Sequence, residues 1–214
     1  MSLLNKFFIL CLITIFAILF LFQPTHSLPP IFVLPHNPIF YSEITQILSQ
    51  MESKKIKTVI IFGPNHKDIG SLMITDEKFI SNEHSIGVLT PIIQNCFPQA
   101  EIIPFIFRRG LSLKEIANFC RELKSKINLS KTIIIASVDF SHYINESEAR
   151  KNDQETLTAI NQFDYQRLAQ FGPEHLDCPV CLMILLELIK EEKRKPVVLN
   201  HVYHTGTSYF FLSF

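Results

Sequence analysis

Three histidines and an aspartate in this chain come directly after short apolar runs. His36 follows Ile31-Phe32-Val33-Leu34 through Pro35. His66 follows Thr58-Val59-Ile60-Ile61-Phe62 in the segment Gly63-Pro64-Asn65-His66. Asp139 and His142 follow Thr132-Ile133-Ile134-Ile135-Ala136 in Ser137-Val138-Asp139-Phe140-Ser141-His142-Tyr143. Imidazole binds transition metals and moves protons near neutral pH, and a neighbouring carboxylate fixes its tautomer. One such histidine reads best as a hydrogen-bonded surface or core imidazole. Three at strand ends make that reading the weaker one, because ligands of open α/β sheets bind outside the carboxyl ends of the strands.

Cys178 is the next candidate. In Asp177-Cys178-Pro179 it precedes a proline and a strongly apolar run. Proline favours the first helical position, which makes Cys178 the N-cap, where the helix dipole favours thiolate. His36, His66 and Cys178 then form a two-imidazole, one-thiolate set suited to Zn or Cu. A small buried hydrophobe is an equally good reading of Cys178 from spacing alone. Glu83-His84-Ser85-Ile86 is a further polar group, which by itself reads as a helix start with Glu83 well placed at it.

The elements that must position these residues alternate between β-rich runs and helical patterns. Ile39 to Met51 places Ile44, Ile47, Leu48 and Met51 on one helical face. Ile102 to Phe107 is another apolar strand. Ser112-Leu113-Lys114-Glu115 is a capping box, followed at helical spacing by Ile116, Ala117, Cys120, Leu123 and Ile127. Asn145 to Glu148 caps a further helix. Val180 to Ile189 is apolar almost all round and reads as a buried helix. Val197 to Val202 and Ser208 to Phe214 read as paired strands with Gly206 in the turn. Continuous apolar strands between helices imply one α/β domain, residues 28–214, with a mostly parallel sheet covered on both faces.

Composition bounds the function. Lys plus Arg and Asp plus Glu are both 20, so the net charge is zero and no broad basic surface for nucleic acid exists. Hydrophobic residues make up 47% and charged residues 19%, enough for a sizeable core. The chain has six glycines and neither a GxGxxG nor a GxxxxGK[ST] phosphate loop. The apolar excess is concentrated at the front. Phe7 to Phe22 is uninterrupted, Lys6 precedes it, and no Lys or Arg follows until Lys54. The expectation is that residues 1–27 are a signal peptide or a membrane anchor, with the domain outside the cytosol. Thr25-His26-Ser27 offers a cleavage site before Leu28, whereas Ile9-Leu10-Cys11 is a poor lipid-attachment box. Five cysteines (Cys11, Cys96, Cys120, Cys178 and Cys181) do not show the spacing of a disulfide scaffold.

Together, Pro35-His36, Gly63-Pro64-Asn65-His66, Glu83-His84-Ser85-Ile86, Ser137 to Tyr143, Asp177-Cys178-Pro179 and Thr207-Ser208-Tyr209-Phe210 resemble the Memo-like family. Within it they are similar to the bacterial group called AmmeMemoRadiSam system protein B. The segments occur in family order over roughly residues 30–214. The resemblance implies a fold like that of the class III extradiol dioxygenases, which hold Fe(II) on two His and a carboxylate beside an acid/base His. Carried over, His36 and His66 are the imidazole ligands and Cys178 takes the carboxylate's place. His142 is the acid/base, Asp139 orients it or the metal, and Glu83 and His84 line the pocket. The implied cofactor is one ion of Cu, Zn or Fe, with a small-molecule substrate and other AmmeMemoRadiSam system proteins as partners. Two departures stand out. Asn37 occupies a position where many relatives carry a second His, and the stretch from Gly70 to Asn82 is short.

The leading expectation is therefore a metal-binding protein with redox or ring-cleaving chemistry. A second is an exported thiol-disulfide oxidoreductase built on Cys178-Pro179-Val180-Cys181, against which the late position of that pair in the chain counts. A third is a non-catalytic binding module that keeps the fold, which the short 70–82 stretch favours.

Overall fold

The computed structural model describes residues 29–75, 80 and 82–214. The expected leader or anchor, residues 1–27, lies outside the described residues. Among the described residues no helix is long and apolar enough to cross a membrane. In chain order the elements are β1 (Ile31–Leu34), α1 (Tyr41–Leu48), β2 (Thr58–Pro64), β3 (Met73–Ile74), α2 (His84–Gly87), α3 (Leu89–Cys96), β4 (Glu101–Phe107), α4 (Leu113–Lys126), β5 (Thr132–Ser137), α5 (Glu146–Gln162), α6 (Tyr165–Gln170), α7 (Pro179–Ile189), β6 (Val197–His204) and β7 (Thr207–Ser213).

The strands form one sheet in the order β3-β4-β2-β5-β1-β7-β6. The four central strands, β4, β2, β5 and β1, run parallel. Antiparallel strands flank them, with β3 on one side and the β7–β6 hairpin on the other. This is the mostly parallel α/β sheet that the apolar runs predict, with the terminal strand pair joined on through β7.

Because side chains alternate across a strand, each central strand feeds two cores. Ile31, Val33, Ile60, Phe62, Ile134 and Ala136 pack on one face with α4 and α7. Phe32, Leu34, Val59, Ile61, Ile133 and Ile135 pack on the other with α1 and α3. Helix α7 is buried from Pro179 to Ile189 except at Glu187, which explains its apolar sequence on every face. The Ser112/Glu115 capping box forms at the start of α4, and Asn145 caps α5 by accepting the Glu148 amide at 3.0 Å. Sequence periodicity did not reveal β3 or α6. At two and six residues they are too short to carry a period.

Candidate metal centre

In the sheet, β5 lies between β2 and β1, with Leu34 level with Ser137 and Phe62 level with Ala136. The three strands therefore end at the same edge, and the turns leaving them carry His36, His66 and Asp139 to one place. Asp177, the residue before the α7 N-cap, reaches it from the helical layer. Close approach of α2 completes the arrangement. A Cβ on Gly63 would lie 2.6 Å from Ser85 Oγ, so the bare backbone at this position lets α2 sit against the end of β2.

Hydrogen bonds fix the tautomers of two rings. Ser137 Oγ gives its single proton to the Ser85 carbonyl at 2.6 Å, so toward His36 Nδ1, 3.3 Å away, it acts as acceptor. His36 therefore carries its proton on Nδ1. Its bare Nε2 faces Asp177 Oδ2 at 3.3 Å and Asp139 Oδ2 at 3.5 Å. His66 Nδ1 lies 2.7 Å from Glu83 Oε1. Burial raises the Glu83 carboxyl, but hydrogen bonds and charge from His66, with the Ser85 amide, outweigh that and hold it below its ordinary value. Glu83 is thus a carboxylate accepting Nδ1–H, and His66 Nε2 points at Asp177 Oδ2, 3.9 Å away. Glu83 also accepts the His66 amide at 3.0 Å and caps α2.

Two bare imidazole nitrogens aimed at carboxylate oxygens repel them unless a proton or a cation stands between. The titration behaviour carries the same tension. Burial pushes Asp139 up to about 7. Burial, then the charge of Asp139, pushes Asp177 well above the carboxylate range. Burial and the neighbouring rings of His66, His84 and His142 push His36 well below its ordinary value. Asp177 Oδ1 is buried without a hydrogen-bond partner. A divalent cation relieves all of these at once, by pairing with the carboxylates and accepting the nitrogen lone pairs. His36, His66 and His84, and separately His36, Asp139 and Asp177, present ligand atoms within 4.8 Å of one another. The residues present fit a metal ion.

His84 stacks on His66 with ring centroids 4.1 Å apart and is the most exposed of the three rings. His142 lines a cavity of about 480 Å³ together with His66, Asp177, Asn65, Arg108, Arg109 and Tyr143. Its Nδ1 is buried without a hydrogen-bond partner, and burial lowers its pKa. Its backbone is held by the Pro173 carbonyl at 2.9 Å. A larger groove of about 810 Å³ between α3 and β4 holds none of these site residues.

The structure differs from the sequence expectation at Cys178. Cys178 is the α7 N-cap, but its sulfur is bonded to Cys181. N-cap and N3 side chains meet in the first turn of a helix, so a C-x-x-C at that point favours the pair, and a disulfide sulfur is not a thiolate ligand. The preceding residue, Asp177, faces the histidines in its place. Of the two roles expected for Asp139, its contacts fall on the metal side: it accepts the His36 amide at 3.1 Å and faces that ring. In the sequence Asp177 stands out only as the residue before Cys178. A carboxylate one residue before a helix that starts at the sheet edge was the available signal. Asn37, where many relatives carry His, caps the following 3-10 turn and donates to Tyr209 OH at 2.9 Å.

A family model described as Memo-like protein matches residues 69–208, the segment holding Glu83, Asp139, His142 and Asp177. A MEMO1 family protein of Metallosphaera sedula is 27% identical over 222 aligned positions, covering 84% of this chain and 78% of that protein. One from Sulfurisphaera tokodaii is 28% identical, covering 83% of this chain and 77% of that protein. A crystal structure of an uncharacterized protein from Escherichia coli K12 aligns with a TM-score of 0.46 at 12% identity, covering 86% of this chain and 99% of that one.

Proposed function

The chain belongs to the Memo-like family, and on that footing we propose that it binds one divalent metal ion on His36 Nε2, His66 Nε2 and the Asp177 carboxylate. The observation that carries this reading is the convergence of both bare Nε2 atoms on Asp177 Oδ2, at 3.3 and 3.9 Å. Two imidazoles and a carboxylate suit Fe(II) or Zn(II), and they replace the copper-favouring thiolate of the sequence expectation.

The reading extends to a metal-dependent enzyme acting on a small molecule in the 480 Å³ cavity. A bound ion would supply Lewis-acid polarisation and an open position for a substrate oxygen. The protein's own part is positional and protonic. Glu83 and Ser137 hold the two ligand rings in one tautomer. Asp139 holds the His36 backbone. His142, which lines the cavity, is the group positioned to give or take a proton there.

Elemental analysis of the purified protein tests this. About one equivalent of Fe or Zn should accompany the wild type and be lost from His36→Ala and His66→Ala. Metal-free wild type that takes up neither ion on titration would overturn the reading.

The thiol oxidoreductase reading has the Cys178–Cys181 disulfide in its favour. Against it, the two residues are 4% and 0% exposed, so a partner thiol has no line of attack. Export belongs to the proposal on the strength of Lys6 ahead of the apolar run. A topology reporter fused at Phe214 should be active only on the outer side of the membrane, and cytosolic activity would refute it.

A further inference from the structure

We infer that the small molecule taken by this site carries a carboxylate or similar anionic group, and that Arg109 is the residue that grips it while a second oxygen of the same molecule reaches the metal. This rests on the metal reading above and adds a substrate class to it.

Two arginines follow β4 and line the cavity that holds His66, His142 and Asp177, but their charges are used differently. Arg108 is neutralised: its Nε and Nη2 meet the two oxygens of Asp68 at 2.5 and 3.1 Å, and Nη1 bonds the Gly70 carbonyl. Arg109 makes no close ion pair among the described residues, although its charge acts on the buried Asp177 carboxylate. Its Nη1 and Nη2 instead donate to the carbonyls of Phe171 and Leu176 at 2.8 and 3.3 Å. Those two bonds fix the planar guanidinium, and they use two of its five N–H groups. A fork already immobilised spends little further entropy on binding a ligand.

The position of the fork points the same way. Arg109 bonds the carbonyl of Leu176, the residue before Asp177, so its guanidinium stands on the cavity wall next to the proposed carboxylate ligand. An anion entering such a site gains a charge-assisted, bidentate contact that a neutral molecule cannot make.

The test uses benzohydroxamic acid as a metal-directed probe on the Fe- or Zn-loaded full chain. It is compared with its derivatives bearing a carboxylate or a carboxamide at the meta or para position. In the wild type one carboxylate isomer should bind at least about tenfold tighter than its carboxamide twin. Arg109→Gln should abolish that preference while leaving the affinity for unsubstituted benzohydroxamate unchanged, and Arg109→Lys should restore part of it. Equal binding of acid and amide by the wild type, or a preference that survives Arg109→Gln, overturns the inference while the metal reading stands. Failure of the unsubstituted probe to bind, together with loss of metal, would instead remove the metal reading and this one with it.

Discussion

Glu83 and His66 form a two-point clasp: the Glu83 carboxylate accepts both the Nδ1–H of His66, at 2.7 Å, and the His66 backbone amide, at 3.0 Å. The residues are 17 apart in sequence, one on the turn after β2 and the other capping α2. The clasp turns His66 Nε2 toward Asp177, and a carboxylate behind an imidazole strengthens it as a ligand. Without the clasp, the partly exposed His66 ring is free to rotate.

Glu83→Gln keeps an oxygen for the α2 cap and removes the negative charge behind the ring. The fold should survive, with metal affinity down roughly 10- to 100-fold in a chelator competition. Unchanged affinity would mean that the clasp positions α2 only.

Metal uptake should depend on pH in a direction set by the coupled carboxyls of Asp139 and Asp177. Burial raises Asp139 from 3.8 to about 7 and holds Asp177 well above the carboxylate range, so near neutrality the metal-free site holds protons that the ion must displace. Affinity should therefore climb as pH rises through neutrality, by about tenfold per unit for each displaced proton. His36, pushed the other way by burial, stays neutral over that range and does not compete. The same shift acts on stability. A carboxyl raised in the folded state favours folding while it is protonated, and that contribution is lost as pH rises from about 4 through about 7. Metal-free Asp139→Asn, which mimics the protonated acid, should gain stability over the wild type across this window. Thermal melts at several pH values would show the difference growing; a difference independent of pH would contradict the assignment.

Much of this arrangement was legible in the sequence, for a physical reason. Apolar runs such as Thr58 to Phe62 mark strands buried on both faces, and the polar residues just beyond them must emerge at the sheet edge, so His36, His66 and Asp139 could be placed there without coordinates. Partners that arrive from other elements were not legible. Ser137 acts on His36 through its position on the neighbouring strand. Asp177 and Cys178 are adjacent in sequence and project in different directions because one precedes a helix and the other caps it. The Arg109 contacts to Phe171 and Leu176 span more than sixty residues and leave no local pattern.

Cys178 and Cys181 offer a direct check on which side chain completes the ligand set. Because the pair is a disulfide in the wild type, the double variant Cys178→Ser with Cys181→Ser should bind metal as the wild type does. It should melt at a lower temperature, because a buried cross-link at the start of α7 is lost. Retention of metal by Cys181→Ser alone, with loss in Cys178→Ser alone, would return the thiolate of Cys178 to the ligand set.

His142 separates chemistry from metal binding. It lines the cavity beside His66 and Asp177, yet it belongs to neither group of residues whose ligand atoms converge. Its backbone is tied to Pro173 and bridged to Thr207 on β7, so the imidazole is delivered to the cavity by a rigid support. Burial lowers its pKa, which leaves the ring neutral and able to accept a proton near pH 7. His142→Ala should keep its full metal content and lose roughly 10²–10⁴-fold in any turnover found by substrate screening, the usual range for losing an acid or base. His142→Gln, which restores hydrogen bonding without a titratable nitrogen, should be equally impaired. Loss of metal from His142→Ala would make this ring a ligand. Full activity in His142→Gln would reduce it to a hydrogen-bonding wall of the cavity.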